Sequence, residues 1–421
     1  MILEFSLQNY RSFKEKTVFS LVAESSKSKG DNVFDVQLPS GDEVRLLNSA
    51  VIYGPNASGK SNLLKALSSL KNMVLTLSEV GSPIREYDPF LFNSKSKNES
   101  THFSITFIGP NNHKYHYNIE FNHTEVINEK LEYYPKGQKK NLFKRSNKEN
   151  IDQNIHRAKV VLDQRKKELQ VFKNQTLFSK FGKDTPDKLL SSVYLYFKEK
   201  IHLFNNHHLT PQNYREVEKK LSQNPGLLHK LSSLIKISDT KIDEIVLRKS
   251  PFQSKPQTSS YSSGNEYEPL AKHSFSEKSN IVAEELPLYE ESKGTNVLYI
   301  LGTYLLETLE KGGVFLIDEF DTSLHPQLAK FLVRLFQHPK TNPQNAQIIF
   351  TTHETTFLDK DVFRKDQIWF VEKNDLGESE LFSIQDFDGV RETTPFEKWY
   401  LAGKFGGIPA IREIEFIFQD A

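Results

Sequence analysis

One segment of eight residues constrains this chain more than any other. Residues 54–61 read Gly-Pro-Asn-Ala-Ser-Gly-Lys-Ser and fit the pattern GxxxxGK[ST], with an apolar strand pattern before them and an apolar helical pattern after them. The glycines allow the backbone N–H groups to point at phosphate oxygens, and the helix start adds partial positive charge. Lys60 is predicted to reach the β and γ phosphates of a nucleotide, and the Ser61 hydroxyl to ligate Mg²⁺. The residues expected to contact the nucleotide here are Gly54, Asn56, Ala57, Ser58, Gly59, Lys60, Ser61 and Asn62.

The composition excludes several classes of protein. The 421 residues include 55 basic and 54 acidic side chains, so a whole-molecule attraction to polyanions is excluded, although local patches are not. There is no Cys, which rules out disulfides, iron–sulfur clusters, thiolate zinc sites and thiol catalysis. No window reaches the roughly 20 apolar residues that span a bilayer, and Glu4, Gln8 and Arg11 interrupt any signal-peptide core. We therefore expect a soluble, cytoplasmic protein with no membrane partner.

Hydrophobic patterning divides the chain into three zones. Residues 1–135 predict strands and hairpins with one helix, at 61 to about 77. Residues 136–250 have the pattern of long polar helices, and residues 251–277 that of a flexible connection or a loose hairpin. From about residue 280, helices alternate with apolar strands, as in a parallel α/β sheet. The simplest organisation is an N-terminal lobe (1–135), a helical, lid-like insertion (136–250) and a C-terminal lobe (251–421), the two lobes forming one ATPase-like domain. The predicted strands are 1–7, 17–22, 50–53, 101–108, 115–121, 314–317, 347–351 and 367–372, and the later helices are 295–310 and 326–337.

A second motif follows the apolar strand predicted at 314–317. Asp318 and Glu319 come directly after it. Asp318 can hold Mg²⁺ opposite Ser61, and Glu319 then sits where a base polarises the attacking water. The acidic pair argues against two other nucleotide-binding classes. G proteins position their water with Gln and read guanine through an NKxD segment, which does not occur here, and small-molecule P-loop kinases do not need the pair.

Further segments surround these two motifs. Phe320-Asp-Thr-Ser-Leu-His-Pro326 follows the acidic pair, Glu290-Glu-Ser-Lys-Gly-Thr295 opens a helix upstream, and the strand 348–352 ends in His353. The first strand and turn include Leu7-Gln-Asn-Tyr-Arg-Ser-Phe13, and Lys404-Phe-Gly-Gly-Ile-Pro409 lies near the end. Together these segments resemble ABC-type ATPases of the SMC/RecF/OLD branch, most closely the stand-alone, OLD-like ATPases of bacterial phage-defence and toxin–antitoxin loci. The resemblance covers roughly 1–135 and 280–410. It implies an α/β fold, an ABC-type P-loop ATPase head with a mixed sheet, flanking helices, an antiparallel β subdomain and a helical insertion.

The resemblance also assigns roles to individual residues. Ser292 and Gly294 match the signature motif, which contacts the γ-phosphate held by a partner subunit, and Lys293 between them is assigned to the nucleotide with them. A Ser at this position can also cap the helix that it opens. Asp321 matches the loop that crosses the dimer interface, and His353 matches the switch histidine that senses the γ-phosphate. Arg11, in the opening turn, is also assigned to the nucleotide.

The chain departs from the family pattern at two places. Lys293 and Thr295 stand where transporter ATPases have Gly and Gln, and no Gln occurs between Leu38 and Gly137, where the family's glutamine loop should lie. Asn93, Asn98 or a backbone carbonyl with water are the alternatives for this metal contact.

The first part of the insertion is strongly basic. Residues 136–173 contain 12 Lys or Arg and 4 Asp or Glu, a net charge of +8. Lys136, Lys139, Lys140, Lys144 and Arg145 could follow a phosphate backbone, so DNA is one reading of this stretch. The other is a solvated face.

The expected function is an ATP-dependent molecular switch. Two copies would close head to tail around two ATP–Mg²⁺, each held by Lys60 and Ser61 of one copy and Ser292 of the other, and hydrolysis with Glu319 as base would reopen them. The changed spacing of the insertions would pass to DNA or to a separate effector protein, a nuclease or toxin, with higher oligomers an open alternative. The remaining alternatives are a RecF-like DNA-maintenance ATPase, the nucleotide-binding subunit of a transporter, and a nuclease acting alone. The last is disfavoured because only about 50 residues follow the strand 367–372.

Overall fold

The computed structural model describes residues 1–150, 152, 154–205, 210–238, 241–249, 266–277 and 280–408. The strands are β1 Ile2–Gln8, β2 Thr17–Ser20, β3 Val33–Gln37, β4 Glu43–Leu47, β5 Ser49–Tyr53, β6 Thr101–Ile108, β7 Lys114–Phe121, β8 Val126–Lys136, β9 Gln138–Asn150, β10 Ile155–Leu162, β11 Arg165–Phe172, β12 Ile201–Asn205, β13 Glu244–Lys249, β14 Tyr267–Glu277, β15 Asn280–Pro287, β16 Val314–Asp318, β17 Gln347–Thr351, β18 Ile368–Lys373 and β19 Ser379–Ser383. The helices are α1 Lys60–Leu75, α2 Leu177–Phe181, α3 Lys188–Lys200, α4 Pro211–Gln223, α5 Pro225–Ile237, α6 Lys293–Lys311, α7 Pro326–Gln337 and α8 Phe396–Leu401.

A six-stranded sheet in the order β12-β16-β17-β5-β18-β19 forms the centre of the molecule. All neighbouring pairs are parallel except β18 and β19. Successive residues of β5 point to opposite faces, so Ala50 and Ile52 pack with α1 while Val51 and Tyr53 pack with α6 and α7. Because β5, β17 and β16 are parallel, the carboxyl ends of β5 and β16 lie at the same edge of the sheet. This edge is where ligands bind in open parallel sheets.

An eight-stranded antiparallel sheet in the order β11-β10-β9-β8-β7-β6-β1-β2 covers the other side of α1. Its inner face is apolar and includes Phe5, Phe103 and Tyr117, which pack in one core with α1, α2 and α3. Its outer face is polar, the usual alternation for an antiparallel sheet with one side in solvent. Helix α1 is thus enclosed between two sheets, which fixes the loop that precedes it.

The helices predicted in the first part of the insertion are wrong. Residues 138–172 form β9, β10 and β11, which extend the antiparallel sheet of the N-terminal lobe. The reason is visible in β10, where the alternate residues His156, Ala158, Val160 and Leu162 are buried against the core. Burial of every second residue on one face requires a strand, because successive side chains of a strand point to opposite faces. This burial outweighs the helix propensity of the lysines that lie between the buried residues.

Helices occupy the second part of the insertion. Helices α2 and α3 pack on α1, and α4 and α5 pack on α6, beside the small sheet β13-β14-β15. The loose hairpin predicted at 251–277 falls only partly within the described residues, where 267–277 form β14.

The predicted fold class is confirmed. The chain forms a mixed sheet with flanking helices and a separate antiparallel sheet, interrupted by a helical segment. The bounds of β6, α7 and β17 coincide with those predicted. Among the described residues, no helix is both long and apolar enough to cross a membrane.

Candidate functional site

The loop between β5 and α1 is built around two glycines in left-handed backbone conformations. Gly54 has φ +154° and Gly59 has φ +117°. A Cβ at Gly54 would collide with the carbonyl oxygen of Val371, and a Cβ at Gly59 with the hydroxyls of Ser12 and Ser379. Only glycine permits this curled loop.

The loop encloses a cavity of about 140 Å³. It is lined by Asn56, Ala57, Ser58, Gly59, Lys60, Ser61, Asn62, Glu319 and His353. Two segments distant in sequence, the end of β16 and the end of β17, therefore reach the same space as the phosphate loop. Within it, the Ser58 hydroxyl is buried and makes no hydrogen bond to any described residue, as suits a loop shaped for an anion.

Lys60 lies inside this cavity with its side chain almost fully buried. Its ammonium donates hydrogen bonds to the carbonyl oxygens of Gly54 at 2.7 Å and Pro55 at 3.0 Å. Burial lowers the pKa of Lys60 to about 8, against the opposing effect of Asp318 and Glu319. The group therefore stays largely cationic at neutral pH, as an ion facing phosphates must.

The donors expected for Mg²⁺ lie side by side. The Ser61 hydroxyl donates to Asp318 Oδ1 at 2.9 Å, and the Thr351 hydroxyl donates to the same oxygen at 2.7 Å. No cluster of three or more His, Asp or Glu suited to a metal occurs among the described residues. One hydroxyl and one carboxylate fit Mg²⁺, which keeps several waters and takes further oxygens from phosphates.

Glu319 is held beside this pair by its backbone. Its φ of +54° is unusual for a residue with a side chain, and its N–H donates to Thr351 Oγ1 at 2.8 Å. The next residue, Phe320, donates its N–H to the Thr351 carbonyl at 2.9 Å. These bonds turn the chain at the end of β16 so that Glu319 lines the cavity next to Asp318.

His353 lines the cavity and lies beside Asp321. The backbone N–H of His353 lies 3.4 Å from Asp321 Oδ1. Partial burial, with the nearby charge of Lys60, lowers the pKa of His353, while Asp321 and Glu319 oppose the shift. The imidazole is therefore largely neutral at pH 7.

The signature residues lie outside the chain's own cavity. Ser292 caps α6, accepting the N–H of Thr295 at 3.1 Å, as predicted. Ser292 and Lys293 are exposed, and Gly294 approaches the carbonyl of Ser323 so closely that a Cβ would lie 3.0 Å from it. The structure does not bring these residues together with Lys60 of the same copy.

Arg11 and the two asparagines proposed as metal contacts lie in different surroundings. Arg11 Nη1 lies 3.4 Å from Asn62 Oδ1, and Arg11 Nε pairs with Asp88 at 2.9 Å, so Arg11 borders the phosphate loop. Asn93 and Asn98 instead bond within their own loop. Neither asparagine lines the cavity.

The sequence matches one protein family over most of its length. Residues 49–359 fit the family described as "AAA domain, putative AbiEii toxin, Type IV TA system". The chain belongs to this AAA domain family. The matched range begins at β5 and includes the phosphate loop, the signature segment, the acidic pair and His353. No curated protein matches the chain significantly.

Solved structures similar to this AAA domain include SMC head domains and a recombination mediator protein. They include the SMC head domain from Thermotoga maritima, with 14% identity over 91% of this chain and 98% of that one and a TM-score of 0.41. The RecF–ATP complex of the RecFOR pathway has 11% identity over 90% and 97%, with a TM-score of 0.40. The Smc head with a coiled coil and joint from Pyrococcus yayanosii has 11% identity over 95% and 99%, with a TM-score of 0.42. These likenesses are distant, and the assignment rests on the family match.

Three hydroxyl residues of this AAA domain were missed by sequence reasoning. Thr351 bridges Asp318 and the Glu319 N–H; its sequence signal was a hydroxyl at the end of a buried strand that neighbours β16. Ser379 donates its hydroxyl to the Ser58 carbonyl and its N–H to the Ser12 carbonyl at 2.7 Å. No local pattern marks Ser12 or Ser379, because their role depends on the packing of β1 and β19 around the loop.

The tail segment lies behind the phosphate loop. A Cβ at Gly407 would lie 3.9 Å from the Cα of Gly54, and the Tyr400 hydroxyl donates to the Gly407 carbonyl at 2.8 Å. The segment 404–408 therefore supports the loop from the side opposite α1. Pro409, the last residue of the motif, lies outside the described residues.

Proposed function

We propose that this AAA domain protein is an Mg²⁺-dependent ATPase that works as an OLD-like molecular switch. The observation that carries the proposal is the meeting of Lys60, Ser61, Asp318, Glu319 and His353 around one cavity. Phosphate-binding, metal-binding and acid–base groups are the parts that phosphoryl transfer to water requires.

Each group has a role that follows from its position. The backbone N–H groups of the loop and Lys60 bind the phosphates, while Ser61 and Asp318 hold Mg²⁺, which when bound neutralises charge on the phosphate oxygens. Glu319 accepts a proton from the attacking water, and Thr351 keeps its backbone in place. His353, largely neutral, has a ring N–H to offer the γ-phosphate.

Dimerisation around ATP is the second part of the proposal. Ser292 stands at the N-terminus of α6, exposed and outside its own cavity, so a second copy could bring it to the γ-phosphate. Because each nucleotide would complete an interface, ATP would favour the closed dimer by mass action. The family description mentions a toxin–antitoxin system, and we propose a separate effector protein, within phage defence, as the recipient of the signal.

Substitution of Lys60 tests nucleotide binding. We expect Lys60→Ala to abolish ATP binding, because the loop loses its one buried cation. Lys65→Ala, five residues along α1 and exposed, is the matched control and should bind like the wild type. Equal binding of a fluorescent ATP analogue by Lys60→Ala and wild type would refute the assignment.

Direct contact with DNA is a second candidate function, favoured by a row of lysines. Lys130, Lys144 and Lys159 are paired across β8, β9 and β10 and so lie side by side on the outer face of the antiparallel sheet. Glu168 on β11 ends the row. Arg145 does not belong to this surface, contrary to the sequence expectation, because it is fully buried and paired with Glu129 at 3.1 Å.

The lysine row makes a specific prediction about salt. Changing all three lysines of the row to Ala should lower DNA affinity and reduce the slope of log affinity against log salt by about two to three, one for each lost phosphate contact. Removing three exposed lysines elsewhere, Lys219, Lys230 and Lys236, controls for net charge. Equal slopes for the two triple variants would exclude the row as the DNA contact.

A further inference from the structure

Asn296 occupies a central position in the first turn of α6. It is buried, and its side chain uses both ends of the amide. Nδ2 donates to the carbonyls of Glu291 at 3.0 Å and Ser292 at 3.1 Å, while Oδ1 accepts the Tyr214 hydroxyl at 2.6 Å. Since the carbonyls can only accept, the amide orientation is fixed by its partners. One side chain therefore ties the segment before α6 to helix α4.

Helix α4 follows α6 along its length. The Tyr214 ring stacks on Tyr299, with centroids 6.2 Å apart and planes at 22°. Farther along, Lys220 pairs with Glu307 at 2.8 Å. These contacts start beside the signature segment and continue toward the far end of α6, so they join α4 to α6 at several points.

The signature segment itself has few other constraints. Ser292 is exposed, and its contacts are with Thr295 in its own helix turn. Glu291 Oε1 lies 2.7 Å from His273 Nε2, and Gly294 lies against the Ser323 carbonyl. The carbonyl of Ser292 is held by the Asn296 side chain and backbone N–H. The direction in which Ser292 presents its hydroxyl thus depends on Asn296.

We propose that Tyr214 and Asn296 are positioning residues through which the helical insertion controls how Ser292 meets the γ-phosphate of a partner copy. The inference rests on the proposed function. A shift of α4 would pass through the Tyr214 hydroxyl to Asn296 and displace Ser292 without touching the phosphate loop. Small displacements of such groups have large effects on binding and rate. A protein bound to the insertion could regulate dimerisation by this route.

The test compares dimerisation with ATP binding in the Glu319→Gln background, which should accumulate the ATP-bound dimer. We expect Tyr214→Phe to weaken ATP-driven dimerisation about tenfold, since each of the two copies loses the hydroxyl bond that holds Asn296, and Ser292 is then less well positioned at both nucleotides. Asn296→Ala should weaken it at least as much, and combining the two changes should add little. ATP affinity should be measured at protein concentrations too low for dimerisation. This affinity and the melting temperature should match those of the Glu319→Gln protein. Tyr194→Phe, which loses a partly buried hydroxyl bond to the Leu75 carbonyl, is the control and should dimerise normally.

The outcomes are distinguishable by sedimentation and binding measurements. Unchanged dimerisation in both variants overturns the inference and leaves the proposed function standing. A parallel loss of monomer ATP affinity also overturns it, because it would indicate general damage and not positioning. A Glu319→Gln protein that stays monomeric with saturating ATP overturns the proposed function and the inference with it.

Discussion

Single hydroxyl groups determine how the acidic pair is presented. Asp318 Oδ1 accepts from both Ser61 and Thr351, and Thr351 also accepts the N–H of Glu319. The Ser61–Asp318 pairing was predicted from sequence, because both residues belong to motifs with fixed spacing. Thr351 was not, because its role depends on the register of β16 against β17. Contacts between residues of known motifs can therefore be predicted from the sequence. Contacts that depend on how separate strands pair cannot.

Removing the Thr351 hydroxyl should impair hydrolysis more than binding. Thr351→Val keeps the side-chain shape but leaves Glu319 without its backbone anchor, and we expect ATP turnover to fall about 10- to 100-fold. Nucleotide affinity should change little, since Lys60 and the loop are intact. The control is Thr308→Val, which removes a buried hydroxyl bonded to the Tyr304 carbonyl in α6. Turnover equal to that control would show that Thr351 has no part in presenting Glu319.

At the scale of elements, the largest error concerned β9–β11. Their sequence is rich in Lys and Arg, which favour helices in isolation. The deciding signal was the alternation of buried residues in β10, where Ala158, Val160 and Leu162 share one face. The elements next to the phosphate loop were predicted well. Short apolar runs that end at glycine or at acidic residues are typical of buried strands.

A buried ion pair joins these strands to the helices. Glu129 on β8 pairs with Arg145 on β9 and accepts the N–H groups of Leu177 and Phe178 at the start of α2. Burial raises the pKa of Glu129 although Arg145 opposes the shift. Removing Arg145 would leave a buried carboxyl without its partner.

The stability of the N-terminal lobe should depend on this pair. We expect Arg145→Met to lower the free energy of unfolding by about 3 kcal/mol, as for other broken buried pairs. Its neighbour Lys144 is exposed, and Lys144→Met should change stability by less than about 0.5 kcal/mol. Urea denaturation measures both, and equal midpoints would mean that the pair does not contribute as proposed.

For the whole molecule, the central claim is that two copies share each nucleotide. Residues 56–62, Glu319 and His353 line the cavity and Asp318 bonds to Ser61, while residues 292–294 do not line it. This division could be expected from the family resemblance but not from the residues alone, since a single sequence does not reveal which surfaces of two copies meet.

Cross-linking between copies tests this claim most directly. Because the chain contains no Cys, introduced cysteines report contact without background. The test protein combines Glu319→Gln with two cysteine substitutions, Asn56→Cys and Lys293→Cys. Position 56 lines the cavity, and position 293 is next to Ser292. A short bismaleimide should join two copies when ATP and Mg²⁺ are present, and not with ADP. Asn56→Cys combined with Lys236→Cys, on the exposed face of α5, should remain uncoupled. If the first pair yields no covalent dimer while ATP binds normally, or couples equally without nucleotide, the shared-nucleotide dimer is contradicted.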